Sequence, residues 1–190
     1  MSKIALSPNA SGSGTFTLAS PNSNTDRTLT LPDEAGTVLT SASSVASRVG
    51  VLPYFSAYQD SAQSIPSGSV TTVQLNQIEI DTNNDWDSTN YQWLPTVAGT
   101  YFVVGSASLQ DLTDGNRLDV RVYKNGSFPF GGIGLGRITM GSGTLDGVAN
   151  VQLIVEMNGV SDFLTLNIFQ NRGSSRNTGS VTGLFAFKLP

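Results

Sequence analysis

The chain has 190 residues, a net charge of −4 and only 13% charged side chains. Its few Lys and Arg residues are scattered and give no surface that could track phosphates, so nucleic acid is excluded as a main partner. With no Cys and no His, disulfides, thiolate chemistry, imidazole-dependent triads and the usual zinc and haem sites are excluded as well.

The length suits one domain of about 140 residues plus an arm. Abundant Gly, with Ser, Thr and Asn filling the remainder, is the profile of short strands joined by many turns. No apolar run reaches the length of a membrane span, and Met1 to Leu6 lack the apolar block of a signal peptide. The expectation is synthesis in a cytoplasm, no membrane partner, and exit by a route other than secretion, such as lysis of an infected host.

Residues 1–40 are polar and rich in Ser, Gly, Thr and Asn, and two short alternations interrupt them. One sets Phe16 with Leu18 on a single face and the other sets Leu29 with Leu31, as strands that pair at an edge do. An arm this polar has little to bury by itself, so the reading is an attachment arm that lies on another protein. Residues 41–52, rich in Ser, Ala and Val, read as a linker.

From 53 to 190 the pattern is all-β. Tyr54 to Tyr58 is the opening strand, and Val70 to Ile80 carries an interrupted alternation. The loop Asp81-Thr82-Asn83-Asn84-Asp85-Trp86-Asp87 spaces oxygen ligands like the start of an EF-hand, but Trp86 replaces the required Gly, Gln92 replaces the required Glu, and no helix flanks it. A looser Ca²⁺ site and a solvated turn both remain open there.

Next come Tyr91-Gln92-Trp93-Leu94, a Pro95 to Gly99 turn, and a strand toward Leu109. In that strand Tyr101, Val103, Gly105, Ala107 and Leu109 share one face, while Phe102, Val104, Ser106 and Ser108 share the other. Leu118 to Tyr123 alternates strictly, with Leu118, Val120 and Val122 inward, and Asn125-Gly126 turns the chain. Gly131 to Gly147 reads as a glycine-rich excursion in which Gly131-Gly132-Ile133-Gly134-Leu135-Gly136 lacks the spacing of a dinucleotide loop. Val151 to Glu156, Phe163 to Gln170 and Val181 to Leu189 complete eight to ten strands. This is an antiparallel jelly-roll sandwich with an extended N-terminal arm.

Catalysis finds little support. Asp111, Asp114, Asp119 and Asp146 read as turn or turn-edge residues with nothing to pair them across a cleft. Trp86, Tyr91 and Trp93 fit a sugar-stacking platform or, more simply, core or inter-subunit packing. Arg172 to Asn177 reads as a basic, polar hairpin tip. No cofactor is implied.

Two resemblances add to this reading. Asp26-Arg27-Thr28-Leu29-Thr30-Leu31-Pro32-Asp33-Glu34-Ala35-Gly36-Thr37-Val38 resembles a short module found near the N-termini and between the domains of tailed-bacteriophage virion proteins. Phe55-Ser56-Ala57, then Asp81 with Tyr91, Trp93, Pro95, Gly99, Tyr101 and Phe102, then Val122 to Gly126, Val151 to Asn171 and Thr182 to Ala186 together resemble the complement 1q and tumour necrosis factor superfamily. That second likeness implies a ten-stranded jelly roll assembling as a homotrimer about an axis lined by apolar and aromatic side chains. Tyr91, Trp93, Tyr101, Phe102, Phe185 and Phe187 are the candidates for trimer or core packing. One departure is that the late-strand turn is shifted to Asn158-Gly159-Val160-Ser161-Asp162; another is that no collagen repeat is present.

Together the two imply a virion surface protein, with a trimeric capsid decoration (cement) protein on the capsid exterior as the leading reading. Phe16, Leu18, Arg27, Leu29, Leu31 and Val38 are the expected capsid-binding residues, and the major capsid protein or another virion protein is the expected partner besides the chain itself. The alternative is a tail fibre or knob protein whose distal loops bind a host receptor or glycan. A free ligand of tumour necrosis factor type is the third class.

Overall fold

The computed structural model describes residues 11–15, 17, 22–26, 28, 52–129 and 134–190. Those before residue 52 are all exposed. The expected arm residues Phe16, Leu18, Arg27, Leu29, Leu31 and Val38 lie outside the described residues, as do residues 41–51 of the expected linker.

Among the described residues there are thirteen strands: β1 (Tyr54–Tyr58), β2 (Ser64–Ile65), β3 (Thr71–Thr72), β4 (Gln77–Asp81), β5 (Trp86–Asp87), β6 (Gln92–Trp93), β7 (Gly99–Thr113), β8 (Arg117–Lys124), β9 (Leu135–Thr139), β10 (Thr144–Met157), β11 (Leu164–Gln170), β12 (Arg176–Asn177) and β13 (Gly183–Lys188). Five of these are two-residue pieces, so the eight longer strands match the expected number.

All pairings are antiparallel. One sheet runs β10-β7-β13-β1-β4; the other runs β5-β6-β11-β8-β9 with β3 added against β11. Both sheets place alternate side chains in the layer between them. Tyr101, Val103, Ala107 and Leu109 of β7 and Val151, Leu153 and Val155 of β10 meet Leu118, Val120, Val122, Leu164, Leu166 and Ile168 of the second sheet. This is the two-residue period of β7 and β8 carried into packing.

Turn chemistry sets the register. Asn125 and Gly126 hold φ of 52° and 79°, the left-handed pair that a two-residue hairpin turn requires. Asn125 is then locked from outside: its Nδ2 donates to Asp162 Oδ1 at 2.8 Å and its Oδ1 accepts the Phe163 N–H at 3.0 Å. The shifted late turn is built by Asn158, whose Oδ1 accepts the N–H groups of Val160, Ser161 and Asp162 at 2.9, 2.9 and 3.0 Å.

Three expectations are corrected. Asp119 is no turn residue: it sits in the middle of β8 and is fully buried. The glycine-rich excursion contains the whole of β9 and the start of β10, because Gly136 lies so close to the Asn150 backbone that no side chain fits between them. The basic tip is partly ordered as β12, which pairs with β2.

Candidate interaction faces

The candidate aromatics separate into two groups. Trp93 and Tyr101 belong to a buried ladder at one end of the core, in which Trp86 stacks on Phe55 (5.3 Å), Phe55 on Trp93 (5.4 Å), and Trp93 meets Tyr101 edge-on (5.2 Å). Tyr101 donates its hydroxyl to the Val97 carbonyl at 2.7 Å, which anchors the Pro95 to Gly99 turn to β7. Burial pushes that phenol up to about 12, with a smaller push from the Asp85 carboxylate. Tyr91 joins neither group. It is half-buried at a turn position with φ of 53°.

The second group faces away from the core. Register places Tyr54 of β1 opposite Phe187 of β13, Phe187 opposite Phe102 of β7, and Phe102 opposite Ile154 of β10. One unbroken apolar row therefore crosses four strands. Behind it runs a second row, Ser56, Phe185, Val104 and Gln152, with Tyr58 in a third. Phe187 touches Phe102 and Phe185 at centroid distances of 5.5 and 5.7 Å.

These rings are packed sideways but not covered. Tyr54, Tyr58, Phe185 and Phe187 remain 36 to 45% exposed, and Ile154 remains 56% exposed. Gly183 interrupts the third row, since a Cβ there would lie 2.8 Å from the Ala57 carbonyl oxygen. The gap leaves an open concavity of about 320 Å³ bordered by Tyr58, Val104, Val181 and Phe185. A protein that stays single in water seldom leaves an aromatic patch of this extent uncovered.

Comparison with solved structures decides the architecture. The globular domain of zebrafish complement 1qA superposes with a TM-score of 0.55 at 17% identity, covering 73% of this chain and 98% of that one. The head has a C1q/TNF-like jelly-roll fold. Murine APRIL gives a TM-score of 0.53 at 15% identity over 73% of this chain and 99% of that one, and Eiger TNF from S. frugiperda gives 0.51 at 8% over 74% and 92%. No protein-family model matches the sequence, and the comparison with curated proteins finds no match.

On the jelly-roll head's second sheet, the outward face carries a charged cluster that the sequence reading missed. Asp119 faces out from β8 between Arg117 and Arg121, with Arg137 of β9 and Phe169 of β11 directly across from it on either side. Arg137 binds the carboxylate with two donors, Nε to Oδ1 at 2.7 Å and Nη2 to Oδ2 at 3.1 Å. Arg121 Nη2 reaches Oδ2 at 2.8 Å, and Arg117 Nε lies 3.3 Å from Oδ1. Phe169 supports two of the guanidiniums, 4.6 Å from Arg117 and 5.1 Å from Arg121. Burial acts to raise the Asp119 carboxyl, but hydrogen bonds from Arg137 and Arg121 and the charge of Arg117 outweigh it and hold the carboxyl below its usual range. The readable signal was Arg-Leu-Asp-Val-Arg at 117–121, which puts three charges on one strand face; Arg137 is far away in sequence and gave none.

Four other carboxylates are held in local structures of their own. Asp81 Oδ2 accepts the Trp86 N–H at 2.9 Å, Asp85 is buried and accepts Thr96 Oγ1 at 2.8 Å, and Asp87 Oδ1 caps Thr89 and Asn90 at 2.9 and 3.2 Å. Burial raises the Asp85 carboxyl, while hydrogen bonds led by the Asn90 side chain lower that of Asp87. Asp162 is paired with Lys124 at 2.8 Å and is lowered by that contact first. Among the described residues no group of three or more acidic, His or Cys side chains converges as metal ligands would.

Proposed function

We propose that the protein is a non-enzymatic structural component of a virion surface: a homotrimeric capsid decoration (cement) protein, made in a host cytoplasm and displayed on the capsid exterior. The observation that carries the reading is the row Tyr54-Phe187-Phe102-Ile154, an uncovered apolar stripe across four strands of a fold whose sequence resemblance implies trimers. Covering it with a second and third copy satisfies the sheet and closes the assembly, as symmetric oligomers do. The four exposed rings alone leave roughly 300 Å² per protomer, worth about 8 kcal/mol of transfer free energy before the costs of association.

The placement on a virion rests on the phage-type module at Asp26 to Val38, with Phe16, Leu18, Arg27, Leu29, Leu31 and Val38 as the gripping residues of the arm. Several weak arm contacts acting from one trimer multiply in effect, which suits a protein that stabilises a shell. The test is removal of residues 1–40. A soluble trimer that no longer binds purified capsids agrees with the proposal, and retained binding refutes the role given to the arm.

A second reading, a tail fibre or knob protein contacting the host surface, is favoured by the arginine cluster on the outward face of the second sheet. Copy number separates the two: densitometry of purified virions gives many copies per particle for a decoration protein and few for a fibre. Absence from purified particles would return the protein to the class of free ligands.

A further inference from the structure

Three of the chain's ten cationic side chains converge on one carboxylate. Arg117 and Arg137 both bring Nε close to Asp119 Oδ1, at 3.3 and 2.7 Å, and only Arg137 makes a hydrogen bond there. Formal charge leaves a surplus of two positive charges around a single buried anion. The donors are not used up either. Arg117 Nε is buried but off any hydrogen-bond line, Arg121 Nε is likewise unpartnered, and the Arg117 guanidinium sits over the face of Phe169. Arg117 and Arg137 keep 33% and 45% of their side chains in solvent.

A structural ion pair explains one arginine on Asp119, or two. It does not explain a third whose guanidinium sits 4.6 Å over an aromatic ring with no side-chain hydrogen bond among the described residues and a third of its side chain in solvent, beside a second exposed arginine. We propose that this outward face of the second sheet is a binding site for the oxyanion of an acidic saccharide, a sugar carboxylate or sugar phosphate held between Arg117 and Arg137. Asp119 and Phe169 act beneath them as positioning groups that fix both forks before the ligand arrives, which lowers the ordering cost of binding.

The partner class follows from charge and surface. A surplus of two on a chain of net charge −4 suits one anionic group and is too little for a nucleic acid, which requires a row of phosphate contacts. Beside the arginines the sheet exposes Thr139 and Leu135 and half-exposes Phe169, a flat mixture of hydrogen-bonding and apolar surface that fits a pyranose better than an extended acidic peptide. The site is on the opposite sheet from the aromatic row and is independent of trimer formation.

The experiment is a titration of the full-length, ¹⁵N-arginine-labelled protein at constant chloride, following each Nε–Hε signal. The probes are glucuronate, glucose 6-phosphate, neutral glucose, inorganic phosphate and a hexaglutamate peptide. The expected result is saturable movement of the Arg117 and Arg137 signals with one or both anionic sugars and none with glucose, while Arg172 and Arg176, outside the cluster, stay still. The two sugar arms tell carboxylate from phosphate. Arg117→Gln, which leaves both hydrogen-bonded arginines on Asp119, weakens binding about tenfold; Arg137→Lys, which keeps the charge but loses the fork, weakens it too. Equal movement of all arginines, response to hexaglutamate or inorganic phosphate without the sugars, or unchanged affinity in Arg117→Gln would overturn the proposal. Light scattering on the same samples reports the trimer separately, so the two ideas fail independently.

Discussion

Truncation of Phe187 to Ala tests the association face most directly. The side chain is 36% exposed in the protomer, which for a ring of about 200 Å² leaves roughly 70 Å² to be covered by a neighbour, or about 2 kcal/mol. A closed trimer contains the site three times, so the total loss is about 5 kcal/mol, near 10⁴ in the association constant. Because three monomers combine, the midpoint concentration scales as the square root of that constant, and it rises by roughly fifty- to a hundredfold. Within the protomer the truncation also removes the contacts that bury the other two thirds of the ring, about 130 Å² or roughly 3 kcal/mol, so urea unfolding of the same sample checks that the chain still folds. Sedimentation equilibrium across nanomolar to high micromolar protein, with Val160→Ala as the control at an 88% exposed turn, measures the shift. A midpoint within threefold of the parent, or a parent that sediments as a stable 20.0 kDa species at micromolar concentration, would refute the reasoning.

Asp119→Asn leaves three guanidiniums around a neutral amide and lowers stability by about 3 kcal/mol in urea unfolding, whereas a surface pair would barely register. The same carboxylate sets an acid limit. Its folded pKa is depressed, so its contribution is fully present above the ordinary carboxylate range and is lost as pH falls through the depressed value; Asp119→Asn flattens that part of the acid unfolding curve. At the alkaline end, one of the five tyrosines titrates late in ultraviolet difference spectra, near 12, and Tyr101→Phe removes that step along with about 1 kcal/mol of stability. The sign follows from a raised folded pKa: the Tyr101 contribution is complete below about 10 and is lost as pH climbs through about 12. Gly136→Ala forces a methyl group into the Asn150 backbone and yields insoluble protein, measured as the loss of the soluble fraction on expression.

Local pattern carried most of the architecture. Tyr54 to Tyr58 begins and ends as a strand where its alternation does, and in β7 the residues from Tyr101 to Leu109 divide between two faces as the two-residue period requires, although which face is inward was not legible. Three kinds of information stayed hidden. Strand β9 carries glycine at Gly136 because β10 passes against it there, a requirement set by a segment not yet reached in the sequence. Asp119 could be placed on one strand face with Arg117 and Arg121, but its burial depends on Arg137, which arrives only through the pairing of β8 with β9. Phe102, Phe185 and Phe187 could be named as candidates, but their union with Tyr54 and Ile154 into one stripe depends on the order β10-β7-β13-β1, which no local rule supplies.

The last strand, Gly183–Lys188, lies between β1 and β7 in the interior of its sheet and is bonded to both. Strand β1 can pair with β4 as soon as both are made, but its other edge and the facing edge of β7 stay unpaired until β13 joins them. A chain that lacks β13 has an open seam where the aromatic stripe belongs. Without Phe185 and Phe187 the stripe is broken in two, so any association through it discriminates against a head whose seam has not closed.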